Sequence, residues 1–205
     1  MMQTRLYLTP ADQGRAMSWE EFASADAEEG YRYEMIEGRV CVSPVPGAAH
    51  DIVLNHIQNA LVIYSARRGD ILPYVTGNGC VFLPDPPDGI TAPEPDITGY
   101  TEFFPEGTPV AERDWRNVSP SLVVEVLSEG TEDKDLERNR RLYLQVPSIR
   151  EYWIVDPQAT ANDPMMIVFR RRGRRWAPRR IVLTGETYTT PMLPGFSVVL
   201  VDPLA

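Results

Sequence analysis

Glu125 stands where apolar residues belong. It interrupts Ser121-Leu122-Val123-Val124-Glu125-Val126-Leu127-Ser128, a stretch whose composition suits a strand covered on both faces. Each apolar neighbour contributes about 1.5 to 3 kcal/mol when buried, whereas an unpaired buried carboxylate costs several kcal/mol. Glu125 therefore lies at the wet end of its strand or has a cationic partner, and a salt bridge to an arginine is the plain structural account. Asp96 shifts that balance. In Pro93-Glu94-Pro95-Asp96-Ile97-Thr98 the second proline holds the chain extended and sets the carboxylate at the start of a strand. A turn or capping aspartate is the ordinary alternative. Two strand carboxylates that converge make a hard oxygen site, suited to Mg²⁺ or Mn²⁺ and unsuited to zinc. Such an ion polarises a phosphodiester and lowers the pKa of bound water.

Other reactive side chains give weaker signals. His50 and His56 are six apart, whereas two ligands on one helical face need a spacing of four. Cys41 and Cys80 are too few for a disulfide framework or a zinc site and read as buried thiols. The sequence carries no Gly-rich phosphate loop, nucleophile elbow or zinc motif. Arg170, Arg171, Arg172, Arg174, Arg175, Arg179 and Arg180 crowd around Gly173, the expected turn of a hairpin. Arginine pairs bidentately with phosphate, which gives this cluster a nucleic-acid reading. The preferred reading is blander: a solvated hairpin offsetting an acidic body, or a subunit contact, with Trp176 serving packing.

Composition bounds the remaining classes. With 205 residues, 43% hydrophobic and 24% charged, the chain reads as a globular domain that needs no disulfide or metal to fold. Lys+Arg 20 against Asp+Glu 29 leaves a net charge of -9, which argues against DNA binding by the whole surface but not against a local basic groove. The N-terminus lacks the apolar core of a signal peptide, and no apolar run is long enough to cross a bilayer. A cytoplasmic location is expected.

These residues must be positioned by regular elements. Residues 1–16 read as an irregular lead-in. Ser18 and Glu21 form a capping box opening a short helix to about Ala25. Tyr31–Ile36 and Arg39–Ser43 read as a hairpin turning at Glu37-Gly38. From Ala48 to Arg68 the apolar residues Ile52, Val53, Ile57, Ala60, Leu61 and Tyr64 recur at helical steps, with Gly69 as the stop. Ile71–Val75, Gly79–Leu83 and Asp96–Tyr100 are expected strands, with a turn-rich loop at residues 85–89. Residues 101–119 form a long polar loop. After the strand that holds Glu125 come a helix from about Asp133 to Val146 and a buried strand, Glu151–Asp156. Met165–Arg171, Trp176–Leu183 and Gly195–Leu200 complete the strands. This order predicts an α/β or α+β domain, a mixed sheet with helices on its faces and C-terminal hairpins.

The set Tyr33-Glu34-Met35-Ile36-Glu37-Gly38, Ser43-Pro44-Val45-Pro46 with His50, Glu94-Pro95-Asp96, Val124-Glu125-Val126-Leu127-Ser128, Asp135 with Tyr143, and Glu151-Tyr152-Trp153-Ile154-Val155-Asp156 resembles the Uma-two family of endonucleases. That family has the restriction-endonuclease-like PD-(D/E)xK fold, and the likeness runs from about residue 17 to residue 201. It implies a single such domain over residues 17–205, a central mixed sheet flanked by helices. It also implies that Asp96 and Glu125 are the two metal-binding acids and that Glu34 and His50 line the same cleft.

One position departs from the pattern. The lysine usually two residues after the acid is Leu127 here. In the resembled family the lysine stands on the following helix, in a stretch similar to Asp-x-x-x-Lys-x-x-x-Tyr, and its counterpart in Asp135–Tyr143 is Asn139. Asn139 is three residues after Leu136 and four before Tyr143, so an α-helix puts the three on one face. Asparagine hydrogen-bonds but carries no charge to offer. Lys134, the single lysine beside nineteen arginines, is five residues away, about 140° round an α-helix, and is expected to point elsewhere unless the helix starts later. Arg138 and Arg140 flank the position and can supply charge, although arginine is a poor base.

The sequence therefore predicts a Mg²⁺- or Mn²⁺-dependent endonuclease acting on DNA, with Asp96 and Glu125 as metal ligands and Asn139, Glu34 and His50 completing the site. The alternatives are a catalytically inactive nuclease fold that binds nucleic acid or protein, and a homodimeric interaction protein. A homodimer is the default oligomer implied by the resemblance.

Overall fold

The computed structural model describes residues 5–84, 89–128, 134–159 and 164–201. The expected loop at residues 85–88 and the expected helix start at Asp133 lie outside the described residues. The chain divides into two compact units, residues 1–45 with 82–94, and residues 46–81 with 95–205.

In the first unit, β1 (Tyr7–Leu8) pairs in parallel with β2 (Asp26–Ala27). The lead-in thus carries a short strand and a 3₁₀ turn at Pro10–Asp12 where an irregular segment was expected. Between these strands, α1 (Trp19–Ser24) opens on the expected capping box. The Glu21 amide donates to Ser18 Oγ at 3.2 Å and the Ser18 amide donates to Glu21 Oε2 at 2.9 Å. β3 (Tyr31–Ile36) and β4 (Arg39–Pro44) form the expected hairpin. Its two turn residues, Glu37 and Gly38, have φ of 52° and 67°, the left-handed pair that matches the twist of a two-residue hairpin.

The second unit is built on a mixed sheet. α2 (Ala48–Arg67) presents His50, Val53, Ile57, Leu61 and Tyr64 on its buried face, a helical spacing legible in the sequence. β5 (Tyr74–Thr76), β6 (Ile97–Tyr100), β7 (Leu122–Val126) and β8 (Glu151–Val155) follow, then β9 (Pro164–Arg172), β10 (Arg175–Trp176) and β11 (Arg180–Leu183). Neighbours in space run β10-β9-β8-β7-β6-β5, with β11 also on β9. The β7–β8 pair is parallel and the others are antiparallel. Both central strands, β7 and β8, are buried at every residue, as their continuous apolar runs require. β12 (Thr187–Thr189) and β13 (Ser197–Val199) form a separate antiparallel pair. The core gathers Val53, Ile57 and Leu61 of α2, Val124 and Trp153 of the sheet, and Tyr188 and Val198 of the last pair. No helix among the described residues is long and apolar enough to cross a membrane.

Three expected elements differ. The amides of Ile71 and Leu72 still donate to the Arg68 carbonyl, 2.9 Å each, so the end of α2 winds on and β5 begins later than Ile71. Gly79–Leu83 joins no ladder. Val81 and Leu83 are buried at alternating positions, which imitates a strand, but the Leu83 amide donates to the Thr91 carbonyl at 3.0 Å. Trp176–Leu183 is divided into β10 and β11 by Ala177-Pro178-Arg179, where proline supplies no ladder donor.

The helix after β7 also differs in kind. Lys134–Asn139 winds as a π-helix, and only Arg140–Leu144, α3, is α-helical. A π-turn hydrogen-bonds i to i+5. Lys134 and Asn139 are therefore one π-turn apart, and the α-helical argument that turned Lys134 away does not hold.

Candidate active site

β6 and β7 run antiparallel with Ile97 opposite Val124. That register places Asp96, one residue before β6, beside Glu125 and Val126. The Asp96 amide donates to Glu125 Oε2 at 3.3 Å, and the Val126 amide donates to Asp96 Oδ2 at 2.9 Å. Each carboxylate is thus held by the backbone of the other's strand. Both are buried, with 5% of Asp96 and 3% of Glu125 exposed. Residues 29 apart in the chain are thus joined at one end of the paired strands.

Three more groups converge on this pair. Glu125 Oε1 accepts from the Tyr143 hydroxyl at 2.7 Å and from Asn139 Nδ2 at 2.9 Å. The same Asn139 nitrogen donates to Asp135 Oδ1 at 2.9 Å, so one amide bridges two carboxylates. Its carbonyl oxygen accepts from Arg138 Nε at 3.0 Å. Asp135, Asn139 and Tyr143 recur at steps of four and are all buried, which explains why this stretch turns its polar groups inward. From the other side, the first turn of α2 delivers His50, whose Nε2 lies 3.1 Å from Asp96 Oδ2 while its Nδ1 lies 3.3 Å from Asp51 Oδ1. His50 is 3% exposed.

Tyr152 registers the resulting field. Its phenol is pushed well above the usual range, first by burial and then by the negative charges of Glu125, Asp135 and Asp96; Arg138 acts in the opposite sense. The Tyr152 hydroxyl donates to the Asp135 carbonyl at 3.0 Å. Three carboxylates therefore act on one buried ring.

The structure brings Asp96, Glu125, Asn139 and His50 into one network. Glu34 belongs to the first unit, where it is buried on β3 and its Oε1 accepts from the Glu94 amide at 3.1 Å. Asp135 and Tyr143 join the network although sequence reasoning named neither as a site residue; their signal was the repeated spacing of four through Asn139. His56 lies apart, its Nε2 2.7 Å from the Val199 carbonyl, which gives it a place in holding α2 to β13.

The donor chemistry suits a hard divalent cation. Among the described residues no three His, Cys, Asp or Glu side chains are grouped as a metal cage. Mg²⁺ does not need one: it keeps several waters and takes one or two carboxylates together with substrate oxygens. A buried aspartate and glutamate clasped side by side match that requirement, and the absence of thiol ligands disfavours zinc.

Comparison with known proteins adds the following. The family model Uma2, described as "Putative restriction endonuclease", matches residues 19–202. A solved structure of "a putative nuclease belonging to DUF820" from Anabaena variabilis ATCC 29413 is similar with a TM-score of 0.66 and 15% sequence identity, covering 92% of this chain and 97% of that one. The likeness at this identity is one of fold. No curated protein matches the chain.

Proposed function

Because the chain belongs to the Uma2 family, we propose that it is a divalent-metal-dependent nuclease that hydrolyses phosphodiester bonds of DNA at the Asp96–Glu125 pair. The observation that carries this reading is the mutual clasp of the two carboxylates across β6 and β7. Asp96 and Glu125 are the residues that would hold Mg²⁺ or Mn²⁺, which supplies charge neutralisation at the phosphate and a more acidic bound water.

The remaining chemistry belongs to the protein's own groups. Two donors on Oε1 and one on Oε2 fix the orientation of Glu125. The Val126 amide and the His50 ring do the same for Asp96. Hydrolysis adds water across the P–O bond, so the water must lose a proton and the leaving oxygen must gain one. His50 is the nearest ring able to carry a proton at neutral pH, directly on Asp96. Asn139 cannot exchange protons in this range. Its place is to join Glu125 to Asp135 and to face the Arg138 guanidinium with its carbonyl, which brings fixed positive charge to the site without a lysine.

Asn139 favours a second reading, a nuclease fold that retains nucleic-acid binding and has lost turnover. Supercoiled plasmid incubated with Mg²⁺ or Mn²⁺ separates the two. We expect nicking by the natural protein and none by Asp96→Asn or Glu125→Gln. Binding of DNA with no nicking by any of the three overturns the enzyme reading in favour of the second. Equal nicking by all three overturns the site.

A further inference from the structure

The seven arginines around Gly173 divide into two groups. Arg170 Nε donates to Glu151 Oε1 at 2.8 Å. Arg171 caps the end of α3, with Nη2 at 2.9 Å from the Tyr143 carbonyl and 2.8 Å from the Val146 carbonyl. The Arg180 guanidinium lies over the Tyr188 ring, 5.0 Å from its centroid. These three hold the fold. Arg172, Arg174, Arg175 and Arg179 are exposed, and none of them makes an ion pair among the described residues.

Three of these four, Arg172, Arg175 and Arg179, line an open groove of about 1170 Å³. Arg140 and Arg141 form its opposite wall, on the helix that carries Asn139. Its lining holds five arginines and one acidic residue, Glu137, in a chain whose net charge is -9. The walls are tied together. Trp176 Nε1 donates to the Arg140 carbonyl at 2.9 Å, and the Arg140 guanidinium stands 5.5 Å from the Phe169 centroid. The Arg171 guanidinium lies over one face of the Trp176 ring, 5.1 Å from its centroid.

From this geometry we propose that the groove binds the phosphate backbone of DNA. The proposal rests on the nuclease reading and names its substrate-holding surface. An extended row of guanidiniums fits a polyanion better than a single anion, because each planar fork pairs with one phosphate. The groove and the carboxylates occupy opposite sides of one helix: Asp135, Asn139 and Tyr143 turn inward while Glu137, Arg140 and Arg141 turn out.

The test uses the full chain, a labelled duplex, no divalent metal, and salt varied from 50 to 200 mM. Removing three phosphate contacts through Arg172→Ala, Arg175→Ala and Arg179→Ala together is expected to lower the slope of log K against log salt by about 2.7. The affinity ratio of natural protein to variant then grows about 40-fold from the high to the low salt. Arg174→Ala, exposed but outside the groove, is expected to leave the slope unchanged. Parallel slopes for natural protein and triple variant overturn the proposal, whether or not the plasmid is nicked. A reduced slope supports it even where no protein nicks, in which case the nuclease reading alone fails. Two further outcomes overturn it: equal competition by polyglutamate, which makes the partner an acidic protein, and a change of oligomeric mass in the triple variant without loss of DNA binding.

Discussion

Replacing Asn139 with lysine restores a cation at the point where two carboxylates meet. Asn139 Nδ2 lies 2.9 Å from Glu125 Oε1 and 2.9 Å from Asp135 Oδ1, so the two oxygens are separated by at most twice that distance. Two unit negative charges at such a separation repel by about 3 kcal/mol at an effective dielectric constant near 20. An ammonium between them removes that repulsion and adds attraction to each, against a desolvation cost of several kcal/mol. Asn139 is fully buried, so the longer lysine chain adds about 1 to 3 kcal/mol of overpacking. The stability terms nearly cancel, and a 1 kcal/mol residue of them moves Tm by about 2 to 4 °C in a chain of this length. The rate is the sensitive readout. A positive donor aimed at charge that develops in the transition state is worth about 10² to 10³ in rate. We therefore expect Asn139→Lys to raise single-turnover nicking by at least about tenfold, and Asn139→Met, of similar length and no charge, to raise nothing. Two folded variants with the same rate would refute the assignment of Asn139 to the catalytic cation's position.

Other outcomes follow from the same network and from the core. Glu151 is a buried carboxylate of a different kind, accepting from Arg170 Nε at 2.8 Å, Thr190 Oγ1 at 2.6 Å, Trp153 Nε1 at 2.8 Å and Tyr188 OH at 2.9 Å. Glu151→Ala strands all four donors and is expected to cost about 3 to 5 kcal/mol in urea unfolding, whereas Glu151→Gln costs less because the amide still accepts two of them. Tyr100 and Tyr188, both fully buried, have phenols pushed up to about 12, chiefly by burial. Their raised folded values mean that the stabilisation is complete below pH 10, the unfolded value, and drains away as pH rises through about 12. The loss is about 2 to 3 kcal/mol for each ring. A urea midpoint that stays level from pH 9 to pH 11.5 would contradict this.

Much of the architecture was legible because local and tertiary preferences agree. The apolar runs at Leu122–Val126 and Glu151–Val155 could only be central strands, and they are the parallel pair at the heart of the sheet. Glu37-Gly38 marked a two-residue turn, and its φ values are those of one. The misses have physical causes. Burial at Val81 and Leu83 imitates a strand without a ladder partner, because periodicity reports burial and not hydrogen bonding. The π-turn at Lys134–Asn139 was hidden because no propensity distinguishes it; the Asn139 amide that donates to both Asp135 and Glu125 shows only in three dimensions. Within the site, Asp96 and Glu125 could be singled out one by one, but their meeting depends on the register of Ile97 with Val124, which neither strand encodes alone. Glu125 and Glu151 look alike in sequence, each an acid at an apolar strand, and only their partners separate a candidate ion site from a structural anchor. The arginine hairpin reads in sequence as a solvated hairpin or a subunit contact; that Arg140 and Arg141 line the same groove depends on the tertiary fold.

Titration of Mn²⁺ into the natural protein, followed by the loss of the free-ion electron paramagnetic signal, tests the central claim most directly. If Asp96 and Glu125 form one ion site, the natural protein binds, and Asp96→Asn and Glu125→Gln each weaken binding by at least about tenfold while keeping a cooperative melt. Undiminished binding in either folded variant would show that the two carboxylates do not share an ion.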